Sequence, residues 1–319
     1  MNDEFLTPAE IAEILKIKKN TVYEMIKRGD IRANKLGKQL RISREDLDAY
    51  LQTQATMPPA APATTYNPAP KQPITTSSAQ GSDHISTIII CGKDAILDRI
   101  CDKLNAQNTD TNILRSPKGS YNALFALYNK QVHIATAHLW DADTDTYNVT
   151  YLPRLLPGMS VRLFHIVNRV QGFYVKSGNP KNITSFDDFK RDDILFANRE
   201  KGCGTRILLD EKLRELKISK KNIKGYFNER TSHLDCATAI ALGNADFALG
   251  SERAAFEFRN IDFIPLQTES YDMIIPSQYV NKPHYQKIIN LLRDDSFRKE
   301  IDAMGGYDVT NMGKEISLL

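Results

Sequence analysis

The sequence predicts an α/β chain in two modules, a small helix-turn-helix with a hairpin wing followed by a large α/β domain. Three observations predict it. Residues 1–54 hold helix-start signals, a tight turn and two short extended runs within a basic stretch. Residues 55–83 hold six prolines and only two charges, Lys71 and Asp83. From residue 86, β-branched runs alternate with amphipathic helical stretches.

The 319 residues suffice for two domains, expected at about 1–54 and 85–319. The Pro/Ala/Thr-rich segment 55–84 is expected to be a disordered linker, because such a composition buries too little apolar surface to offset chain entropy. At roughly 3.1 Å per residue it reaches several tens of ångströms when extended.

Composition excludes several classes. Charged residues at 25% and hydrophobic ones at 41% describe an ordinary globular chain. Met-Asn-Asp-Glu-Phe lacks the basic start and apolar core of a secretory signal. No apolar run reaches the ~18 residues of a membrane span, so the expected location is the cytoplasm, away from membranes. Cys91, Cys101, Cys203 and Cys236 have no C-x-x-C spacing, and reduced thiols suit that compartment. Net charge is only +3, but residues 16–41 carry nine Lys/Arg against Glu24 and Asp30.

In the first module, Thr7-Pro8-Ala9-Glu10 combines an N-cap, a first-turn proline and a capping-box glutamate. Ile11, Ile14 and Leu15 then share one face. A turn near Ile17-Lys18 leads to a second helix at about 19–28, with Val22 and Ile26 inward and Gly29 at its end. Ile31–Leu36 and Gln39–Ile42 flank Gly37-Lys38 as a small hairpin. Ser43, with Asp46 in the box position, opens a last helix whose Leu47, Tyr50 and Leu51 face the core.

This is the plan of a winged helix-turn-helix. Its candidate contacts to double-stranded DNA are Lys18, Lys19, Asn20, Thr21, Tyr23, Lys27 and Arg28 on and beside the second helix. Lys35, Lys38 and Arg41 are those of the wing. Such residues anchor phosphates and reach base edges. The run Leu6–Ala12, Thr21-Val22-Tyr23, Ile26–Ile31, Gly37 and Arg41–Leu47 resembles the excisionase/MerR-type helix-turn-helix family over residues 5–52.

In the large module, strands are expected at Thr87–Cys91, Val132–Ala137, Val161–Val167, Ile194–Asn198, Phe247–Gly250 and Ile261–Leu266. Helices are expected at 94–105, 120–129, 205–217 and 232–242, with the sheets parallel. Ligands favour loops where a strand hands over to a helix. Three loops qualify, and they make Gly92, Lys93, Asp94, Gly119, Ser120, Tyr121, Arg199, Cys203, Gly204, Thr205 and Arg206 candidate ligand contacts. In the last loop, glycines bring N–H groups close, the helix start adds partial positive charge, and Arg206 offers a fork, which suits an anion. No Walker loop occurs. His138, Arg169, Ser232, His233 and Tyr271 are polar residues in apolar contexts and join the candidates. His133 and His138 find no further ligand at metal spacing, so neither metal nor cofactor is expected.

Gly119-Ser120, Ala137–Asp141, Arg169 with Gln171-Gly172, Asn198-Arg199 with Gly202 and Gly204-Thr205-Arg206, Thr231-Ser232-His233, and Asp262–Leu266 with Glu269 and Tyr271-Asp272 carry a second resemblance. Together they resemble the two-lobed, type II periplasmic-binding-protein-like domain of cytoplasmic regulators, related to molybdate-binding proteins, over nearly all of residues 86–310. The resemblance implies a first lobe of about 86–170 and 270–319, a second of about 172–268, and a ligand between them. Cys203, where the family commonly has Ser, and Lys93, near a position often neutral, depart from the pattern and bear on which anion is taken.

The expectation is therefore a ligand-responsive, DNA-binding transcription regulator. Molybdate or tungstate is the effector the resemblance implies, and a homo-oligomer, a dimer reading two half-sites, is the expected assembly. Rival readings are another small anion or organic acid as ligand, a ligand-independent architectural DNA protein, and a cytosolic oxyanion carrier for molybdenum-cofactor assembly. An enzyme is not expected, because no nucleophile–base–orienter set or catalytic motif occurs.

Overall fold

A computed structural model describes residues 5–17, 19–28, 31, 33–36, 39–44, 46–47, 86–107 and 110–318. The expected linker at 55–84, with Tyr50, Leu51 and Gly29, lies outside the described residues. The chain divides into two compact units, Met1–Ser78 and Ala79–Leu319.

In the first unit the capping box forms. The Thr7 hydroxyl accepts from Glu10 N–H at 3.3 Å, while the Glu10 carboxylate accepts from Thr7 N–H at 2.6 Å. Pro8 then opens helix Pro8–Ile14, and the second helix spans Lys19–Arg28. Strands β2 (Asn34–Leu36) and β3 (Gln39–Ser43) pair antiparallel as the wing, and β1 (Phe5–Leu6), absent from the sequence reading, pairs with β3. Leu6, Ile11, Ala12, Val22, Met25, Ile31, Ile42 and Leu47 form the core. Ile14, expected inward, is exposed. It is the last residue of its helix and lies outside that core.

The second unit is built on one nine-stranded sheet. Its strands are β4 (Ser86–Cys91), β5 (Thr111–Ser116), β6 (Ile134–Ala137), β9 (Val161–Lys176), β10 (Phe196–Arg199), β11 (Glu229–Arg230), β12 (Phe247–Ser251), β13 (Ile261–Pro276) and β14 (Glu315–Ile316). A separate small hairpin joins β7 (Trp140–Asp141) to β8 (Thr146–Tyr147). The order is β11-β10-β12-β9-β13-β6-β4-β5, with β14 on β9. Two lobes result. β6 pairs with Asp272–Ile274 of β13 in the first, and β12 pairs with Gln171–Val175 of β9 in the second.

The expectation of parallel sheets holds for β4 with β5 and β6, and for β10 with β11 and β12. It fails at the centre, where β9 and β13 run antiparallel for 16 residues each and pass through both lobes. The apolar pattern ends near Val167 and Leu266 because Arg169, Gln171, Glu269 and Asp272 interrupt it. All four are buried and bonded to one another or to neighbours, so the strands continue through them.

Candidate functional site

Between the lobes lies a small cavity of about 10 Å³, close to the room one water needs. Three helices begin at it. Gly119 is the N-cap of helix Ser120–Tyr128, Cys203 the N-cap of helix Gly204–Glu215, and His233 the first residue of helix His233–Ala241. Each helix start brings partial positive charge to the same space.

Arg199, at the end of β10, is the most telling residue on the lining. It is 3% exposed, and its Nη1 has no hydrogen-bond partner. Its Nε donates to Glu200 at 2.9 Å. Lys93 reaches across from the other lobe, donating to Glu200 at 2.7 Å and to the Thr231 carbonyl at 2.8 Å. Burial opposes ionisation of Glu200, yet Arg199 and Lys93 hold its carboxyl below the ordinary range.

Both imidazoles have assigned roles. His233 Nδ1 accepts from Ser251 N–H at 3.3 Å, which places the proton of the neutral ring on Nε2. Burial, then the charges of Arg199 and Arg169, holds His233 well below its ordinary pKa, so it stays neutral. His138 turns Nδ1 to the Glu269 carboxylate at 2.6 Å. The Ser120 hydroxyl accepts from His138 N–H at 3.2 Å and keeps its own hydrogen to donate. Tyr271 Oη and Thr136 Oγ1 lie 2.6 Å apart, and Thr136 also donates to the Cys91 carbonyl at 3.1 Å.

A charged cluster supports this lining from the hinge. Arg169 is ion-paired with Asp94 and Glu269 at 2.5 Å each, and its guanidinium lies 4.2 Å from the Tyr271 ring centroid. Tyr307 donates to Asp94 at 2.7 Å, and Gln171 donates to Glu269 at 2.8 Å. Burial raises the cost of ionising Glu269, but Arg169 first, then His138 and Gln171, hold its carboxyl down at about 2.

Of the residues expected to contact a ligand, Lys93, Gly119, Ser120, His138 and Arg199 lie on the lining, as do Cys203, Gly204, His233 and Tyr271. The others support it from outside. Arg206 donates to the Arg199 carbonyl at 2.8 Å and lies over Tyr226 at 4.2 Å, so its fork holds the loop instead of facing the cavity. Arg169 and Asp94 are taken up by each other. The Thr205 hydroxyl turns to Gln171 at 3.4 Å, and Ser232 caps its helix through Asp235 N–H at 2.9 Å. Tyr121 is exposed, and its N–H crosses to the Gly202 carbonyl at 3.0 Å. Gly92 packs where a Cβ would sit 2.7 Å from the Tyr271 hydroxyl. Lys118 and Thr136 also line the cavity and were missed. Lys118 opens the loop that carries Gly119, Ser120 and Tyr121. Thr136 is the hydroxyl in an otherwise apolar Ile134–Ala137 strand.

In the first unit, Lys19, Thr21 and Tyr23 are exposed on the second helix, and Arg41 is half-buried on β3. Asn20, Lys27 and Arg28 occupy positions on that helix, and Lys35 lies on β2. Lys18 and Lys38 lie outside the described residues. Among the described residues no helix is long and apolar enough to cross a membrane, and no cluster of three metal-ligating side chains occurs.

A helix-turn-helix ahead of a two-lobed cleft points to a ligand-binding, DNA-binding regulator or binding protein. The chain belongs to the PBP superfamily, whose domain model matches residues 101–293, and a helix-turn-helix domain model matches residues 5–55. It is 35% identical to the uncharacterized protein YvgK of Bacillus subtilis (strain 168), covering 97% of each chain. Among solved structures it is similar to a putative phosphate ABC transporter substrate-binding protein with bound phosphate from Clostridium perfringens. That match has a TM-score of 0.52 and 10% identity, and covers 70% of this chain and 99% of that one. Iron-bound HitA from Pseudomonas aeruginosa also matches at 0.52 and 10%, covering 73% and 89%. At these identities the likeness is one of fold.

Proposed function

We propose that this protein is a cytoplasmic transcription regulator whose interlobe cavity takes a small anion and whose helix-turn-helix binds double-stranded DNA. Molybdate or tungstate is the expected effector, and a homodimer reading two half-sites is the expected assembly. The observation that carries the anion reading is Arg199 Nη1, a buried donor without a partner on a lining where three helices begin. No carboxylate stands among the described residues of that lining. A buried unpaired guanidinium N–H is costly, and an anionic oxygen satisfies it with a strong bond.

Occupancy acts through the hinge. β9 and β13 are the strands that pass between the lobes, so closure on a ligand is a rotation about them.

The test is calorimetry and thermal shift on the full chain with molybdate, tungstate, sulfate, phosphate and small carboxylates. An anion present at about 100 times its dissociation constant adds roughly 2.7 kcal/mol of stability. A shift with molybdate or tungstate that Arg199→Met removes supports the reading. A shift with carboxylates alone moves the ligand to the organic acids, and no shift with any anion contradicts it.

A further inference from the structure

The first lobe holds a second, much larger cavity of about 620 Å³, within the size range of sites for small organic molecules. It stands apart from the interlobe cavity. Val132 and His133 line it just ahead of β6, whose other end leads to His138 of the interlobe lining. The loop at 157–160 forms one side. Ser277 N–H donates to the Ser160 carbonyl at 2.9 Å and the two hydroxyls lie 2.8 Å apart, so this side is held in place.

Most of the lining is apolar. Leu127, Val132, Met159 and Pro276 form a wall, with the rings of Tyr128 and Tyr279 beside it. Tyr279 is fixed by stacking on Tyr285, with ring centroids 5.4 Å apart. Such a surface suits a flat ring, which buries a large apolar area for few rotatable bonds.

The charged and ring-nitrogen groups on the lining are donors. His133 Nδ1 accepts from Ile89 N–H at 3.0 Å, so the neutral ring carries its hydrogen on Nε2. Burial lowers the pKa of this imidazole and favours that neutral form. Among the described residues Nε2 has no hydrogen-bond partner, and the exposed Lys130 ammonium has no ion pair. Lys282 adds a further ammonium, 4.8 Å from the Tyr279 ring centroid. No carboxylate stands among the described residues of this lining.

Helix Ser120–Tyr128 ends here, and a helix end carries roughly half a negative charge, which opposes an anion. Its last carbonyls are already engaged. Phe125 accepts from Asn129 Nδ2 at 2.8 Å, Ala126 from Gln131 N–H at 2.9 Å and Leu127 from Lys130 N–H at 3.0 Å. The full charges of Lys130 and Lys282 outweigh what is left.

We propose that this cavity is a second ligand site, taking a small aromatic monocarboxylate with its ring on the apolar wall and its carboxylate toward Lys130 and His133 Nε2. A purely apolar guest leaves the His133 donor unpaired, and an inorganic anion leaves the wall bare. The site stands independently of the interlobe anion reading.

The experiment is titration calorimetry of the full chain with 2-naphthoate and with its neutral analogue 2-naphthalenemethanol, with and without saturating molybdate. The expected result is one naphthoate site per chain that remains available in molybdate. The alcohol should bind at least about tenfold more weakly, and Lys130→Glu should weaken naphthoate by at least about tenfold. Met159→Trp, which fills the cavity, should abolish binding, with a far-ultraviolet circular dichroism spectrum like that of the wild type. Naphthoate that molybdate displaces belongs to the interlobe cavity and overturns the proposal, as does binding unchanged in both variants. Absence of naphthoate binding also overturns it. A Met159→Trp chain of lower oligomeric state in sedimentation velocity would then identify a second copy as the occupant.

Discussion

Arg169 and Glu269 are register partners across β9 and β13, and their side chains form a buried ion pair at 2.5 Å where those strands pass between the lobes. Both side chains are 1% exposed, and Asp94 and His138 extend the pair into each neighbouring loop. A buried polar cluster therefore spans the strands between the lobes, and His138 of the cavity lining is anchored to it.

Removing Glu269 leaves the buried Arg169 with Asp94 alone and takes the carboxylate from His138 Nδ1. Glu269→Gln is expected to cost about 3–5 kcal/mol of unfolding free energy in urea denaturation. A cost under about 1 kcal/mol contradicts a closed, desolvated hinge.

The same carboxyl sets a pH dependence. Its folded value of about 2 lies below the ordinary 4.5, so its contribution is present above 4.5 and is lost as pH falls toward 2. That contribution is about 3 kcal/mol by linkage. Denaturation between pH 7 and pH 2.5 should show wild-type stability falling over this interval, and Glu269→Gln should lack that component. Parallel curves for the two proteins contradict the assignment.

Gly119 tests closure. A Cβ there would lie 2.7 Å from both Cys203 Cα and the Gly202 carbonyl oxygen, which are backbone atoms with little freedom to yield. In Gly119→Ala the lobes cannot meet at this point. Anion affinity should fall by more than about tenfold, and small-angle scattering should show no ligand-dependent compaction. Wild-type affinity in this variant contradicts the closed geometry.

Lys19 is exposed at the start of the second helix. Lys19→Ala should weaken binding to duplexes selected from a random library and reduce the salt slope by about 1, read by fluorescence anisotropy. An unchanged slope removes Lys19 from the phosphate contacts.

Much of this was legible in the sequence. The Thr7 capping box and the three loops are local signals and appear at the expected residues, whereas the alternation from residue 86 holds only in part, since β9 and β13 run past their expected ends and β5 was not expected. Nine expected ligand contacts meet on one lining because, Tyr271 of β13 apart, they stand at strand ends, helix starts and the loops between them, which the sheet brings together. What could not be read is how guanidinium groups pair. The sequence points to Arg206 as the anion fork, whereas the packing of Arg206 over Tyr226 turns it away and leaves Arg199 on the lining. The length of β9 and β13 was hidden for a related reason. Arg169 and Glu269 break the apolar pattern, yet they satisfy each other across the ladder.

The most direct test of the central claim is to measure DNA affinity of the full chain at fixed salt with and without saturating molybdate. The DNA dissociation constant is expected to change by at least about fivefold, and DNA is expected to change anion affinity by the same factor. An anion that binds in calorimetry yet leaves DNA affinity unchanged would contradict a ligand-responsive regulator.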